Sequence, residues 1–308
     1  MKNILFKLLA LIIPFSMNAQ ADFINTTNSG DGASALGYNT MASGSFSTAM
    51  GSYTTASGYA SISMGEQTTA SGYMTTAMGV GSLATETAST AMGWNTIASQ
   101  DFSTAMGNYT TASGNSSTAM GQLTTASGEN STAMGFETTA SDYVSLVIGQ
   151  YNLSGSSVTN SDTSFSTENT AFVIGNGINS SNKSDAFKVM FNGDATLAGN
   201  LSINSDARLK ANIISLGSTI TKLLQIDGKS YTMKNDENKK QKIGLLAQDI
   251  EKVFPELVSE SNGIKSVNYQ GLVPVLINAL KEQQNEIETY RNEVSELKEM
   301  VQALASID

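Results

Sequence analysis

The sequence predicts a mainly β chain, in which a repetitive solenoid and a β-rich stalk come first and a small α+β domain with a long C-terminal helix comes last. Three observations support this prediction. Glycines recur every fourteen residues from Gly37 to Gly149 without a slip, and an unbroken period indicates a solenoid. Near residue 205 the composition changes from small polar residues to mixed globular sequence. Over residues 272–304 apolar residues alternate steps of three and four, which is typical of a coiled-coil helix.

Residues 1–21 have the features of a cleaved secretory signal. A charged start at residues 1–3 precedes an apolar run from Ile4 to Phe15 that is too short to span a bilayer. The small residues nearby fit cleavage after Ala19 or after Ala21. Because no second long apolar run follows, we expect an exported mature chain without a transmembrane segment, at the cell surface or outside the cell.

The charge and composition exclude several classes of function. The net charge is −10, which argues against a nucleic-acid partner because binding to the phosphate backbone needs a basic footprint. The chain has no Cys, so its stability must come from something other than disulfides, and repetition and oligomerisation are the obvious sources. The sequence predicts no cofactor and no metal site.

The repeat of fourteen is built from two sevens. Each unit reads Ser-Thr-Ala-Met-Gly, two variable residues, Thr-Thr-Ala-Ser-Gly and two variable residues. This pattern predicts two short strands and two glycine-centred turns, since glycine takes positive φ without steric cost. Alanine every seven residues indicates the inside of a very narrow coil. The main glycines are Gly37, Gly51, Gly65, Gly79, Gly93, Gly107, Gly121, Gly135 and Gly149, with half-period glycines at Gly44, Gly58, Gly72, Gly114 and Gly128.

Alanine offers little apolar area, so a single coil of this kind buries little. The methionines that follow the alanines therefore need cover, which identical neighbouring chains would supply. Disorder is the alternative interpretation of a segment rich in Ser, Thr and Gly. The unbroken register and the repeated Ala-Met pair argue against it.

The units from Ser47-Thr48-Ala49-Met50-Gly51 to Ser131-Thr132-Ala133-Met134-Gly135 resemble the head repeats of YadA-like trimeric adhesins over residues 33–152. The resemblance implies a left-handed parallel β-roll, three of which form a trimeric head that binds host or matrix surfaces. Met stands where Ile or Val is usual in that family. A different interpretation treats the Thr-Thr pairs at 54, 68, 110, 124 and 138 as a flat array suited to ice or a regular polysaccharide. Its breaks at Glu86-Thr87 and Thr96-Ile97 argue against this array.

Residues 153–204 are predicted to form a linker and a β stalk. The repeat dissolves into Ser, Thr and Asn, and then two strand-like runs follow at residues 170–177 and 185–194. Asn192-Gly193 is a hairpin signal at the end of the second run. These runs resemble the stalk segments that precede chaperone domains in phage tail fibres, which implies a role in holding three chains together.

The segment Ser205-Asp206-Ala207-Arg208-Leu209-Lys210 places a hydroxyl and an amine five positions apart. The chain has neither His nor Cys, so a Ser-His-Asp triad and a thiol nucleophile are both impossible. Serine with lysine is the leading combination left for acyl chemistry. A lysine freed of its proton by burial can take the proton of a hydroxyl.

Residues 205–304 resemble the endosialidase-type intramolecular chaperones, the self-cleaving C-terminal domains of phage tail spikes and fibres. The resemblance is carried by the segment at 205–210, Ile213, Leu224-Gln225-Ile226-Asp227-Gly228, Tyr231, Ile243-Gly244-Leu245-Leu246-Ala247-Gln248-Asp249-Ile250, Val253-Phe254-Pro255-Glu256-Leu257-Val258 and Lys265-Ser266-Val267-Asn268-Tyr269. Asn268 replaces the Asp that is frequent before that tyrosine.

The resemblance implies that Ser205 is the nucleophile and Lys210 the base. Attack on the carbonyl of Asn204 passes through a five-membered ring, whereas attack on the carbonyl of Ser205 itself needs a strained four-membered one, so the cut is expected between Asn204 and Ser205. Asp206 is expected to orient the turn or to cap a following helix. In the alternative interpretation, Ser205 caps a helix and Lys210 is a solvated surface charge.

Residues 272–304 are expected to form a coiled coil, and the family resemblance implies that it is a trimer. Glutamates, including Glu282, and basic residues are expected on its other faces. The alternative is an amphipathic helix that packs on its own domain. The seam residues are Val273, Leu276, Leu280, Gln283, Ile287, Tyr290, Val294, Leu297, Val301 and Leu304.

Together these features predict an exported homotrimeric adhesin or fibre-like surface protein. Residues 205–308 would direct trimer assembly and then remove themselves, as a single-turnover self-cleaving serine peptidase. A strict period lets chains pair equally well when slipped by one unit, so a terminal trimer is needed to fix the register. The expected partners are two further copies of the chain and a surface, matrix or glycan ligand. The alternatives are a non-cleaving adhesin, an ice- or glycan-binding solenoid and a phage fibre, against which the signal segment argues.

Overall fold

The computed structural model describes residues 24–156, 158, 160–234, 236 and 238–306. The expected signal segment at residues 1–21 lies outside them. The chain divides into two compact units, of which the first ends at Leu201 and the second begins at Ser202. Each unit is described by itself.

The first unit is a parallel β-solenoid in which each coil supplies one five-residue strand and one two-residue strand. The five-residue strands are β2 (Ser34–Tyr38), β4 (Thr48–Ser52), β6 (Ile62–Glu66), β8 (Thr76–Val80), β10 (Thr90–Trp94), β12 (Thr104–Asn108), β14 (Thr118–Gln122), β16 (Thr132–Phe136) and β18 (Leu146–Gln150). The two-residue strands are β1 (Thr27–Asn28), β3 (Met41–Ala42), β5 (Thr55–Ala56), β7 (Thr69–Ala70), β9 (Leu83–Ala84), β11 (Ile97–Ala98), β13 (Thr111–Ala112), β15 (Thr125–Ala126) and β17 (Thr139–Ala140).

Neighbouring coils pair in register with a step of fourteen residues, so that identical residues stack along the axis. Ala91 lies opposite Ala105, and Met92 lies opposite Met106. The two-residue strands form a second, nine-stranded sheet with the same step. The expected parallel β-roll architecture is therefore confirmed.

Small residues fill the interior of the coil, as the seven-residue spacing predicts. Alanines such as Ala49, Ala56 and Ala105 have no exposed surface. A second file, not anticipated from the sequence, consists of Ser and Thr five residues after the alanines, such as Ser47 and Thr54, which are also fully buried. The interior of the coil is thus half polar.

The glycine turns differ from the prediction. The main glycines have positive φ but lie inside the five-residue strands. The half-period glycines lie just before the turn that follows each two-residue strand, and their φ is not positive. The left-handed turn positions are taken by other residues, such as Tyr53 at φ 54° and Phe46 at φ 59°. Glycine is needed instead for close approach of the coils, because a Cβ on Gly51 would lie 2.0 Å from the carbonyl oxygen of Gly65. The same clash is present at the half-period glycines, with a Cβ on Gly44 lying 2.0 Å from the oxygen of Gly58.

The methionines form a ladder on the outer face of the five-residue strands. Each follows a fully buried small residue, which is Ser63 before Met64 and alanine before the others, and alternate side chains of a strand point to opposite faces. Met50 is 38% exposed, and the methionines of the following coils are partly exposed. The single chain therefore leaves this apolar ladder without full cover, as the composition suggests.

Two polar side chains replace the missing next coil at the end of the solenoid. The amide of Asn152 accepts from the N–H of Thr139 at 2.8 Å and donates to its oxygen at 2.9 Å. Asp142 stands where the repeat would have a half-period glycine, and its fully buried carboxylate accepts from the N–H groups of Ser156 and Thr170, each at 2.8 Å. Buried backbone donors at the open end are thereby paired.

The wide sheet then continues beyond the solenoid. Strand β19 (Thr170–Asn176) pairs in parallel with β18, and β20 (Asp185–Met190) and β21 (Ala195–Leu197) follow in antiparallel order. The connection between β20 and β21 contains Asn192-Gly193, with Gly193 at φ 87°. The hairpin expected from this pair is present.

The second unit is a small α+β domain. Its elements are α1 (Ile220–Leu223), β22 (Lys229–Tyr231), β23 (Lys242–Gly244), α2 (Ala247–Val253), β24 (Val258–Ser261), β25 (Ile264–Val267) and α3 (Leu272–Ala305), with 3-10 turns at Ala207–Leu209, Pro255–Leu257 and Tyr269–Gly271. Its core is formed by Ile250, Val253, Phe254 and Val275.

Helix α3 is 34 residues long and packs on the domain only through its beginning. Its buried residues are Leu272, Val275 and Ala279. Further along, apolar side chains such as Leu280 at 64% and Val301 at 63% are exposed. Packing on the same domain therefore accounts for the first turns of α3 and leaves the rest of the apolar seam open. None of the described helices is long and apolar enough to cross a membrane.

Candidate functional site

A single 3-10 turn brings the serine and the lysine together. The N–H of Leu209 donates to the oxygen of Asp206 at 3.0 Å, and the N–H of Lys210 donates to the oxygen of Ala207 at 3.1 Å. This turn shortens the path between positions 205 and 210 enough for Lys210 Nζ to donate to Ser205 Oγ at 2.7 Å. The hydroxyl and the amine are thus within the distance needed for direct proton transfer.

Asp206, which belongs to the same segment, stabilises the turn. Its Oδ1 accepts from the N–H of Arg208 at 2.9 Å, as a helix cap does, and its Oδ2 accepts from Arg208 Nη2 at 2.6 Å. The side-chain hydrogen bond from Arg208, followed by its backbone hydrogen bond, lowers the pKa of Asp206. The carboxylate is therefore engaged with Arg208 and leaves Lys210 to interact with the serine.

Both members of the pair are exposed in the single chain. Every residue from 201 to 218 is exposed, including the hydrophobic side chains of Ile213 at 67% and Ile214 at 86%. A lysine acts as a base only when it is neutral, and burial favours the neutral form. The covering surface that this chemistry needs is not supplied by the described residues of the second unit.

Downstream of the pair, a carboxylate from α3 anchors the chain to the domain. Glu282 accepts from Ser218 Oγ at 2.7 Å and from the N–H of Thr219 at 2.6 Å. Thr219 Oγ1 donates to the oxygen of Val275 at 3.0 Å. Hydrogen bonds, led by that from Ser218, lower the pKa of Glu282. Beyond the expected position outside the seam, the carboxylate of Glu282 caps the start of α1 across 63 residues of sequence.

The remaining motif residues build the domain rather than the reactive pair. Tyr269 accepts the N–H of Leu245 on its hydroxyl at 2.9 Å. Asn268 Oδ1 accepts the N–H of Gly271 at 3.1 Å. An aspartate would accept this hydrogen bond equally well, so the departure from the family pattern at Asn268 keeps the local structure.

The threonine pairs of the solenoid do not form a flat array two residues wide. The first member of each pair, such as Thr54 or Thr68, lies inside the coil with no exposed surface. Only the second member, such as Thr55 or Thr69, is partly exposed. The outward file is interrupted by Leu83 and Ile97 at the same position of later coils. This geometry removes the array on which the ice-binding interpretation depends.

Comparisons with known proteins give three findings. The family model described as YadA head domain repeat matches residues 29–54, 56–82, 70–96, 84–110 and 112–138. The family model described as Chaperone of endosialidase matches residues 205–259, beginning at the serine of the pair. The long tail fiber protein Gp37 of Salmonella phage S16 is 30% identical over 122 residues, which cover 36% of this chain and only 16% of that protein.

These matches support the architecture expected from the sequence, in which YadA-like head repeats precede an endosialidase-type chaperone domain. The chain is adhesin-like or fibre-like, and the matched proteins indicate a surface or extracellular protein. The second matching family is one of peptidases and is consistent with self-cleavage.

Proposed function

We propose that this chain is an exported homotrimeric adhesin or fibre-like surface protein whose C-terminal domain directs assembly and then cuts itself away. The proposed parts are a signal at residues 1–21, a head at 33–152, a linker and stalk at 153–204, and an autoprotease at 205–308 with a coiled coil at about 272–304. The observation that carries the proposal is the 2.7 Å hydrogen bond between Lys210 Nζ and Ser205 Oγ, at the start of the segment matched by the chaperone family.

The proposed reaction is an acyl shift followed by hydrolysis. Neutral Lys210 takes the hydroxyl proton of Ser205, and Oγ attacks the carbonyl carbon of Asn204 through a five-membered ring. The C–N bond then breaks, the protonated lysine returns its proton to the leaving amine, and an ester joins Asn204 to Ser205 Oγ. Water hydrolyses this ester to give the carboxylate of Asn204 and the restored hydroxyl of Ser205.

The exposure of Ser205 and Lys210 supports a reaction in which self-cleavage follows assembly of the trimer. The pair lies in a segment that is solvent-exposed in one chain, whereas a lysine base needs a desolvated environment. Two further copies of the chain would provide that cover. Cleavage would then report that the trimer has formed.

Two exposed apolar surfaces support the homotrimer. The seam of α3 is open beyond its first turns, and the Met ladder runs along the outer face of the head. Contiguous apolar surface of this extent typically marks an interaction site. The identical fourteen-residue steps of the solenoid would allow slipped pairing between chains. Association through α3 would set the register before the repeats pair.

A denaturing gel of the purified full chain tests the cut. We expect one fragment that ends at Asn204 and one that begins at Ser205, with Ser205→Ala and Lys210→Ala each remaining intact. Ser202→Ala, an exposed serine of the same segment, is the matched control and should be cut normally. A single full-length band for the unmodified chain would favour the alternative of an adhesin that does not cleave itself. Undiminished cutting of Ser205→Ala would show that the nucleophile lies elsewhere.

A further inference from the structure

One edge of the solenoid carries a series of turns stacked in register. These turns follow the two-residue strands, and we call this edge the second-turn edge. The N–H of Ala88 donates to the oxygen of Tyr73 at 2.7 Å, and the N–H of Phe102 donates to the oxygen of Thr87 at 2.8 Å. Neighbouring turns are therefore spaced like neighbouring strands, at about 4.8 Å, on a backbone that is fixed before any partner binds.

Three consecutive turns of this edge carry exposed aromatic rings. Phe46, Tyr59 and Tyr73 are 61%, 45% and 51% exposed. Phe46 meets Tyr59 edge to face with centroids 5.6 Å apart, and Tyr59 stacks on Tyr73 at 5.1 Å with an interplanar angle of 6°. Met74 beside them is 54% exposed. Rings of this kind, held on a rigid scaffold and left in water, mark an interaction surface.

The row of rings is interrupted by a notch. The next turn carries only the small side chains of Thr87 and Ala88, and the turn after it carries Asp101 and the exposed ring of Phe102. The N–H of Thr87 donates to Asp101 Oδ1 at 2.9 Å, which fixes the carboxylate on this edge. Two turn spacings, about 10 Å, separate the turn of Tyr73 from that of Asp101. Because Asp101 Oδ1 reaches back to the N–H of Thr87, the opening between the tyrosine ring and the carboxylate is shorter than this spacing. A planar guanidinium that stacks on the ring and pairs with the carboxylate fits this opening.

The charge of the head requires that such a cation come from outside it. Between Lys7 and Lys183 the sequence has no Lys or Arg. The head can therefore neither neutralise its own carboxylates nor fill the notch itself. Complementary charge steers and orients a binding partner. The carboxylates of residues 24–182 are Asp31, Glu66, Glu86, Asp101, Glu129, Glu137, Asp142, Asp162 and Glu168.

We propose that the second-turn edge binds an arginine-bearing segment of a partner protein, with a guanidinium seated between Tyr73 and Asp101. The aromatic row from Phe46 to Tyr73 then contacts the neighbouring residues of that segment. This inference deepens the proposed function, because it rests on the head being an adhesive surface. It does not depend on self-cleavage.

Binding of the full chain to immobilised poly-L-arginine and poly-L-lysine at about 0.15 M salt tests this proposal. Tyr73→Ala and Asp101→Asn should each weaken binding to poly-L-arginine about fivefold, the size of one exposed cation–π contact or ion pair. Asp101→Asn keeps an acceptor for the N–H of Thr87. Tyr109→Ala and Glu66→Gln, on the opposite turn edge, repeat the two changes and should stay within about twofold of the unmodified chain. Poly-L-lysine should bind more weakly, since a lysine ammonium does not stack on the ring as a guanidinium does.

Three outcomes overturn the proposal. Equal losses in both pairs of variants would mean that only net charge matters. Binding of a neutral glucan that is lost in Tyr73→Ala would mean a polysaccharide ligand. A changed oligomeric mass in Tyr73→Ala would make the edge a contact between chains. Oligomeric mass and cleavage are measured on the same samples. A monomeric, uncut chain would count against the proposed function. The binding of each variant relative to the unmodified chain would still decide whether the arginine site exists.

Discussion

Replacing Leu280 and Ile287 by Asp tests whether the seam of α3 drives assembly. The two side chains are 64% and 39% exposed in the single chain, and that remaining surface is what partner helices would cover. Full burial of such a side chain contributes roughly 1.5–3 kcal/mol. Over three chains the double variant therefore removes about 5–9 kcal/mol of apolar burial, and it also forces carboxylates into the seam, which is costly.

A loss of this size lowers the association constant by roughly a thousandfold to a millionfold. Sedimentation of the purified chain at micromolar concentration should then show monomers, and a denaturing gel should show that self-cleavage is lost with the trimer. Asn285→Asp with Asn292→Asp is the matched control, because it adds the same two charges at exposed positions outside the seam. Efficient cleavage of the seam variant as a monomer would refute the reasoning, since the pair would then need no partner chains.

Four further predictions concern the solenoid and the anchor of the chaperone domain. Gly51→Ala should lower the melting temperature of the head sharply because its Cβ would meet a backbone oxygen at 2.0 Å, whereas Gly199→Ala meets nothing within 4 Å and should be neutral. Asp142→Ala leaves buried N–H groups without their acceptor and should cost the head about 2–5 kcal/mol in chemical denaturation. After cleavage the head trimer should fail to reassemble from denaturant, as size-exclusion chromatography would show, whereas uncut Ser205→Ala should recover. Folding lowers the pKa of Glu282, so the stability that this carboxylate contributes is present above the unfolded pKa and is lost as pH falls through the folded pKa. Glu282→Gln should therefore flatten the acid side of the curve of stability against pH. An unchanged acid side would contradict the role of Glu282 as an anchor of the domain.

The solenoid could be predicted from the sequence because each coil repeats the same contacts. A strict period reports a position that every coil needs, and the interior alanines such as Ala105 are found where the spacing predicts them. The turns were predicted less well. Left-handed positions such as Tyr53 carry no consistent residue type, so the sequence does not reveal them. The recurring glycines suggest turns instead, although the close approach of neighbouring coils explains these glycines better.

Features that depend on distant partners had weaker signals. Glu282 meets Ser218 and Thr219 from far along the chain, and nothing in its local sequence distinguishes it from the other glutamates of α3. Asp142 breaks the glycine series at a half-period position, but Glu86 and Gln100 break the same series, so its position alone did not distinguish it. The pairing of Ser205 with Lys210 could be anticipated because both lie in one short turn. The exposure of Ser205 and Lys210 could not be anticipated, because the burial of a segment depends on surfaces that its local sequence does not encode.

The stacking of identical coils makes the reach of the head an adjustable quantity. Each coil advances the axis by about 4.8 Å and contacts only the coils on either side of it. The cap formed by Asp142 and Asn152 needs one finished coil beneath it, whatever the number of coils. Duplication or loss of one fourteen-residue unit in the gene would therefore lengthen or shorten the head by a fixed increment while leaving its interior unchanged. Recombination between repeats could therefore change the length of the head without new packing having to evolve.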